Sequence, residues 1–150
     1  MQEDSTDFMA AALALAQQAA EAGEVPVGAV LVRDGQIIAV AHNRVETDRD
    51  PTAHAEMLAI RAAARLIGDV RLTGCDLYVT LEPCAMCAQA ISLARLRRLY
   101  FAAYDPKGGA VEHGPRLYTQ PTCHHAPDVY GGIAEAPAAA LLRGFFAARR

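Results

Sequence analysis

The stretch Leu77-Tyr-Val-Thr-Leu-Glu-Pro-Cys-Ala-Met-Cys87 decides the fold of this chain. Its first five residues are apolar or β-branched, which predicts a buried strand. Pro83 then predicts the first turn of a helix, where its missing N–H would have no partner in any case. Cys84 and Cys87 are three residues apart, so such a helix presents both thiols on one face. The positive end of the helix dipole stabilises thiolates at this position.

A second motif lies upstream, at His54-Ala55-Glu56. Residues two apart do not share a helical face, so the imidazole and the carboxylate can converge only at the open first turn of a helix. Asp50-Pro51-Thr52, just ahead, offers the chain reversal that such a start needs. Both motifs are therefore predicted at helix N-termini, a common location for sites in α/β sheets.

One imidazole and two thiols indicate a zinc site. Three protein ligands, His54, Cys84 and Cys87, leave the fourth tetrahedral position open for water, as in catalytic zinc centres. Zinc lowers the pKa of such a water towards about 7. Glu56, a carboxylate that is not a ligand, can then carry protons. We expect one Zn²⁺ per subunit.

Two non-catalytic-zinc interpretations of the cysteines stay open. A Cys-x-x-Cys pair can be a redox pair, and a structural zinc site would need a fourth ligand. The residues nominally available as that ligand are His42, Cys75, Cys123, His124 and His125. A structural site gives no reason for Glu56 or for the proline before Cys84. We expect Cys75 and Cys123 to be inert small hydrophobes, and the paired histidines to belong to loop structure.

Composition is that of an ordinary globular protein: 150 residues, 53% hydrophobic and 21% charged. The formal net charge of -3 argues against a general polyanion-binding protein, although a local basic patch can still bind a short RNA. Acidic residues, not basic ones, precede the first apolar run, which predicts a capped helix and not a signal peptide. No stretch approaches the length of a membrane span. We expect a cytoplasmic protein.

The predicted elements follow the order αββαβαβ, with a closing helix. Strands are predicted at 27–32, 37–41, 77–81 and 98–103, and helices from Ser5 or Thr6 to about Glu24 and over 53–66, 83–94 and 136–149. Asp34-Gly35 predicts a hairpin turn. Residues 105–132, rich in proline, glycine and histidine, carry no assignment. This order predicts one domain over residues 1–150, a three-layer α/β fold whose mixed central sheet of about five strands is flanked by helices.

These residues together resemble the bacterial tRNA-specific adenosine deaminases, within the cytidine-deaminase-like superfamily. The similarity is spread over almost the whole chain. The zinc motif is shared across the superfamily, whereas Asp50-Pro-Thr-Ala-His-Ala-Glu56 and the segment from Asp105 to Lys107 are more discriminating. The resemblance implies a cytidine-deaminase-like fold and a homodimer. It also implies a substrate, the wobble adenosine in the anticodon arm of a tRNA, chiefly an arginine tRNA, converted to inosine with release of ammonia.

The resemblance further implies roles for single residues. Glu56 would move protons from the attacking water to the purine ring and to the leaving amine. Asn43 matches the residue that hydrogen-bonds the base, and Val27, Ala55 and Pro83 would line the same pocket. The positions that match contacts to RNA next to the target are Arg44, Asp105, Lys107, Phe146 and Arg149. Of the pair Phe145-Phe146, we expect one to pack and the other to be exposed.

Two competing functions share the zinc motif. A zinc deaminase of a free base or nucleoside, of the guanine or cytosine type, would have the same ligands but would not need the Asp105–Lys107 loop or the basic aromatic C-terminus. A non-catalytic zinc-stabilised interaction domain is the other, and the presence of Glu56 argues against it. RNA held by four to six phosphate contacts should bind roughly a hundredfold more weakly at physiological than at low salt.

Overall fold

A computed structural model of the chain describes residues 2–149. Its four helices are α1 (Gln2–Glu21), α2 (Ala55–Ile67), α3 (Ala85–Leu93) and α4 (Glu135–Ala147). Its five strands are β1 (Gly28–Arg33), β2 (Gln36–His42), β3 (Cys75–Leu81), β4 (Arg98–Ala103) and β5 (Asp128–Gly131), and a single 3-10 turn covers Leu117–Thr119. No helix within residues 2–149 is long and apolar enough to cross a membrane.

The strands form one sheet in the order β2-β1-β3-β4-β5. β1 pairs antiparallel with both β2 and β3, whereas β3, β4 and β5 are mutually parallel. The predicted α/β class and the mixed sheet of five strands are therefore confirmed. The parallel half matters for function, because the carboxyl ends of β3 and β4 open on the same edge of the sheet.

Alternate residues of the central strands pack into two separate hydrophobic cores, one on each face of the sheet. The fold therefore has three layers: helices, sheet and helices. Leu77 and Val79 of β3 pack with α2 and α3 on one face, while Tyr78 between them packs with α1 and α4 on the other. All three side chains are at least 97% buried. A strand covered on both faces reads as a continuous apolar run, and this explains why β3 was so evident in the sequence.

Several predicted boundaries were wrong by two or three residues. α1 begins at Gln2 and ends at Glu21, because Gly23, with φ of 80°, turns the chain into the left-handed region. α2 and α3 begin at Ala55 and Ala85, two residues later than predicted. β5 arises from the unassigned region, since it is only four residues long and half exposed and so carries little hydrophobic pattern.

Helix α1 approaches β1 most closely at Gly28. A Cβ atom added there would overlap the carbonyl oxygen of Ala12 and lie 2.7 Å from the backbone nitrogen of Ala16. Glycine is therefore required at this position by the packing of a helix backbone on a strand backbone. The adjacent layers can reach this separation only without a side chain between them.

Gly28→Ala is expected to lower the free energy of unfolding by about 2–3 kcal/mol, since overpacking in a rigid interior carries a penalty of that size. Urea denaturation of the purified variant measures the effect. Gly144→Ala is the matched control: Gly144 is exposed on α4, and a Cβ there meets no atom within 4 Å. That control should gain about 0.5–1 kcal/mol from helix propensity. Equal midpoints for the two variants would contradict the packing argument.

Candidate active site

The two sequence motifs meet through the residues that cap their helices. His54 is the N-cap of α2 and Cys84 the N-cap of α3, both with extended backbone and neither with a side-chain capping hydrogen bond. N-cap positions usually carry Ser, Thr, Asp or Asn, whose oxygen bonds to the helix. Here an imidazole and a thiol occupy them instead. Their heteroatoms are thus available to a shared ligand.

The three predicted ligands form one compact group. The ligand atoms of His54, Cys84 and Cys87 all lie within 4.8 Å of one another. The Nδ1 atom of His54 is 3.6 Å from Sγ of Cys84 and 3.5 Å from Sγ of Cys87. Tetrahedral zinc, with Zn–N near 2.05 Å and Zn–S near 2.3 Å, requires nitrogen and sulfur to be about 3.5 Å apart. The donor set and its spacing fit Zn²⁺, with Nδ1 facing the thiols.

Among the side chains that the structure describes, those of residues 7–149, no fourth protein ligand completes the group. It contains His54, Cys84 and Cys87 alone. Two of the other candidates make contacts elsewhere: His125 Nε2 is 2.7 Å from the carbonyl oxygen of Leu96, and Cys123 Sγ is 3.2 Å from that of His125. A centre with three protein ligands leaves one position for water, which is the pattern of a catalytic site.

The two thiols titrate as a pair. A hydrogen bond from Cys87 and an interaction with His54 together lower the pKa of Cys84 to about 4, against the opposing effect of burial. The same hydrogen bond, together with burial, raises the pKa of Cys87. A bound divalent cation would take the place of that shared proton, because coordinating thiols are deprotonated outright. Two thiolates and a neutral imidazole would then balance the charge of Zn²⁺.

Glu56 lies beside this group, in the first turn of α2, and is 4% exposed. Burial raises the pKa of its carboxyl to about 7, a shift that the backbone N–H of Glu56 opposes and the charge of Cys84 reinforces. A carboxyl whose pKa lies near neutrality can both accept and donate a proton at physiological pH. The geometry and electrostatics of Glu56 are those of a general acid–base.

A cavity of about 630 Å³ opens onto the group. This volume falls within the range of small-molecule and cofactor sites. Its lining comprises Gly23, Glu24, Val25, Val27, Asn43, Val45, Glu46, Pro51, His54, Glu56, Leu81, Glu82, Cys84, Asp105, Gly108, Phe145 and Arg149. Seven of the predicted site residues are among them: Val27, Asn43, His54, Glu56, Cys84, Asp105 and Arg149.

Asn43 is held in one orientation. The side-chain oxygen Oδ1 of Asn43 accepts the backbone N–H of Ala55 at 2.8 Å. The backbone N–H of Asn43 donates to the carbonyl oxygen of Val27 at 3.1 Å. Because the oxygen is occupied, the amino group Nδ2 is the end of the amide that can donate to a bound base. Ala55 itself is fully buried and contributes its backbone. Neither Ala55 nor Pro83 is among the residues that line the cavity, and the carbonyl oxygen of Pro83 accepts the N–H of Ala110 at 2.9 Å.

The remaining predicted residues lie outside the cavity wall. Lys107 is exposed, two residues beyond Asp105. Arg44 is engaged by Asp48, with its Nη2 2.9 Å from Oδ1. Phe146 is 47% exposed, whereas the adjacent Phe145 is buried and lines the cavity. The expectation that one ring packs and the other is exposed is confirmed. The cavity-facing ring, however, is Phe145, since neighbouring helix positions point about 100° apart.

Of the wall residues that sequence reasoning did not assign, Phe145, Glu24 and Glu82 make the contacts that matter most here. Phe145 supports Arg149, whose guanidinium carbon lies 3.5 Å from the centre of its ring. Glu24 and Glu82 are acidic but 1% and 2% exposed, and both accept several backbone hydrogen bonds from neighbouring loops. The i, i+4 spacing of Phe145 and Arg149 could have predicted their contact. The position of each glutamate at the end of an apolar run could have predicted that it is buried.

Comparison with known proteins agrees with this geometry. The family described as the cytidine and deoxycytidylate deaminase zinc-binding region matches residues 2–103. A tRNA-specific adenosine deaminase of Agrobacterium fabrum is 59% identical over 147 residues, which are 98% of this chain and 97% of that protein. One of Bacillus subtilis is 46% identical over 139 residues, 93% of this chain and 86% of that protein.

Solved structures give the same result. A structure from studies of A-to-I editing by tRNA deaminases at the wobble position of transfer RNA superposes with a TM-score of 0.90 and 60% identity, covering 91% of this chain and 99% of that chain. The guanine deaminase of Nitrosomonas europaea superposes with a TM-score of 0.82 and 26% identity, covering 95% and 84%. Backbone similarity is high to both proteins, whereas sequence identity is much higher to the first.

Proposed function

Because the chain belongs to the tRNA-specific adenosine deaminases, within the cytidine and deoxycytidylate deaminase family, we propose that its cavity takes up the wobble adenosine of a tRNA anticodon. The protein is a zinc-dependent hydrolase that converts this adenosine, at tRNA position 34, to inosine with release of ammonia. One observation carries the conclusion: a three-ligand metal group and a buried, non-ligating carboxyl share one cavity. Hydrolytic deamination needs this combination.

His54, Cys84 and Cys87 would hold Zn²⁺, which when bound would lower the pKa of water towards about 7 and supply a nucleophile at neutral pH. Glu56 accepts one proton from the attacking water and passes it to N1 of the adenine ring; it then accepts the second proton of that water and delivers it to the departing amine. The buried position of Glu56 supports this role, because its pKa of about 7 suits both steps. The Nδ2 group of Asn43 donates to the base, and Val27 provides an apolar contact.

Asn43→Asp is expected to lower kcat/KM about a hundredfold, since a polar site left without its matching donor loses a few kcal/mol of transition-state binding. The substitution keeps the oxygen that accepts the Ala55 N–H and replaces the donating amino group by a second carboxylate oxygen. Steady-state kinetics on an anticodon stem-loop, with zinc content measured in parallel, tests it. Full activity in the variant would show that the amide donor plays no part in base recognition.

We propose that the residues holding the RNA next to the target are Asp105, Lys107, Arg149, Arg44 and Phe146. Asp105 and Arg149 both line the cavity, which supports contacts to the nucleotides beside the splayed base. Arg44 would exchange Asp48 for a phosphate, since an exposed ion pair contributes little stability. The exposed ring of Phe146 offers a face on which a base can stack.

We also propose an arginine tRNA as the substrate and a cytoplasmic homodimer as the enzyme. Exposed apolar side chains at the ends of α2 and α3 support a second copy as partner: Leu66, Val70 and Leu93 are 67%, 72% and 67% exposed. The two helix ends are adjacent, because the Leu72 N–H donates to the carbonyl oxygen of Ala94 at 2.7 Å. Apolar surface of this kind marks protein interfaces.

The decisive experiment is inosine formation by the zinc-loaded protein on an arginine anticodon stem-loop with adenosine at the wobble position. Free adenosine, cytidine and guanine are assayed in parallel. We expect inosine at that one position and a kcat/KM that falls roughly a hundredfold from low to physiological salt. The backbone similarity to a guanine deaminase favours a free base as the second candidate. Turnover of a free base or nucleoside alone would establish that alternative.

A further inference from the structure

Glu82 is a buried carboxylate that the deamination chemistry does not use. It follows β3 directly and precedes Pro83 and the ligand Cys84. Its side chain is completely buried, with 0% exposure. An ionised carboxylate is costly to bury unless it is paired and hydrogen-bonded. The partners of Glu82 therefore indicate what it does.

All the hydrogen-bond partners described for the side chain of Glu82 come from one loop, residues 105–113. Its Oε1 accepts the backbone N–H of Asp105 at 3.0 Å and lies 2.8 Å from Nδ1 of His113. Its Oε2 accepts three consecutive backbone N–H groups, those of Val111 at 3.2 Å, Glu112 at 2.8 Å and His113 at 3.1 Å. Successive N–H groups that converge on one anion form a nest. Hydrogen bonds to an ionised group are also the stronger ones.

The loop packs around this carboxylate with no spare room. A Cβ atom on Gly109 would lie 2.5 Å from Cδ of Glu82 and 2.6 Å from the carbonyl oxygen of Asp105. The next residue, Ala110, donates its N–H to Pro83, beside the metal ligand. The loop is thus attached at its start, its middle and its end to the short segment that carries Cys84.

The two proposed RNA contacts of this loop lie at its start. Asp105 lines the cavity, and its Oδ1 accepts the N–H of Lys107 at 3.2 Å and of Gly108 at 2.9 Å. Lys107 is therefore presented to solvent by a tight turn around Asp105. The backbone of that turn is attached to Glu82 through the Asp105 N–H. Any displacement of Glu82 changes where Lys107 stands relative to Cys84.

We propose that Glu82 is a positioning residue for the RNA strand: it sets the distance between the loop that carries Asp105 and Lys107 and the segment that carries Cys84. One carboxylate then fixes the position of the nucleic-acid contact relative to the metal-binding residues. This inference rests on the proposed function and explains how the bound RNA is placed relative to Cys84. Glu82 itself touches neither the RNA nor the reacting atoms.

The test is a double-mutant cycle of Glu82→Gln and Lys107→Ala, with kcat and KM measured on the anticodon stem-loop at several salt concentrations. Glutamine keeps the size of Glu82 but replaces one acceptor oxygen by a donor, which faces the loop N–H groups. We expect KM to rise about tenfold and the slope of log KM against log salt to fall by roughly 0.7 to 0.9, the loss of one phosphate contact. Zinc content should stay at one per chain, with kcat within about threefold of wild type.

Coupling between the two positions separates positioning from a general loss of stability. Lys107→Ala should reproduce the change in salt slope, and the double variant should be no worse than Glu82→Gln by more than about twofold, since coupled residues are not additive. Arg149, which lies against Phe145 of α4 and not in this loop, supplies the independent comparison: the effects of Arg149→Ala and Glu82→Gln on KM should multiply. Glu112→Gln makes the same chemical change at an exposed side chain of the same loop and should leave KM unchanged.

The inference would be overturned if the effects of Glu82→Gln and Lys107→Ala on KM multiplied in the double variant. It would also be overturned if log KM of Glu82→Gln depended on log salt with the wild-type slope. Should Glu82→Gln not fold, His113→Asn removes the imidazole from Glu82 and leaves the backbone donors in place. That variant should raise KM about threefold with zinc retained, and a wild-type KM would overturn the proposal equally. A wild-type protein that forms no inosine on the stem-loop would instead overturn the proposed function.

Discussion

Glu56→Gln is expected to bind stoichiometric zinc, to fold as the wild type does, and to lose turnover at least a thousandfold, which corresponds to about 4 kcal/mol of activation free energy. Glutamine fills the same buried volume but can neither accept the proton of the attacking water nor return it to the amine. General acid–base catalysis contributes about 10² to 10⁴ to a rate, and here one carboxyl performs several transfers. Single-turnover inosine formation on the stem-loop, with zinc content determined on the same sample, measures the effect.

The matched control is Glu46→Gln, which makes the same change at an exposed glutamate of the cavity rim. The Glu46 backbone N–H, 3.1 Å from Oε1 of Glu24, is untouched by the substitution. We expect its activity within about threefold of wild type, as for surface changes away from the chemistry. Equal turnover in Glu56→Gln and wild type would contradict the mechanism. Loss of zinc in Glu56→Gln would instead mean that the carboxylate acts as a ligand.

Cys84→Ala is expected to lose the metal, all measurable turnover and several kcal/mol of stability, since metal binding to a folded site is coupled to folding. The loss of stability comes from the metal and not from the helix end, because Cys84 makes no side-chain capping bond in α3. Wild-type protein stripped by a chelator should therefore unfold at the same urea concentration as the variant. Chelator should leave the unfolding of the variant itself unchanged.

Cys75→Ala supplies the comparison for Cys84→Ala. Cys75 is fully buried in β3 and outside the group of candidate ligands, so its replacement should remove only packing contacts, about 1 kcal/mol. Zinc stays at one per chain in that variant. Stoichiometric zinc in Cys84→Ala would show the ligand assignment to be wrong. Metal analysis and urea unfolding on the two variants and the wild type decide the matter.

The parts of the molecule that were predictable depend on short-range patterns. The i, i+3 spacing of Cys84 and Cys87, the proline before them and the apolar run of β3 are local signals. The hairpin at Asp34-Gly35 is local as well. The structure has a turn there, with φ of 52° and 75° at the two residues. Such features follow from steric and hydrogen-bonding preferences within a few residues, and they define the fold class and the metal-binding residues.

The parts that were missed depend on contacts between distant residues. Glu82 and His113 are 31 residues apart, and Glu24 and Thr47 are 23 apart. Periodicity shows that a position is polar within an apolar run, but it does not show which loop will supply the hydrogen bonds. β5 was missed for the same reason, since a short half-exposed edge strand is defined by its parallel partner β4.

The sequence alone therefore predicted the chemistry of this protein. The residue types and the local spacing of His54, Glu56, Cys84 and Cys87 indicate zinc-assisted hydrolysis, provided that the fold brings them together. The shape of the substrate site was decided only in three dimensions. Phe145 and not Phe146 faces the cavity, Arg44 is paired with Asp48, and the loop of Lys107 is held by a buried carboxylate. Each of these depends on burial and on long-range hydrogen bonds, which come into existence only when the layers pack.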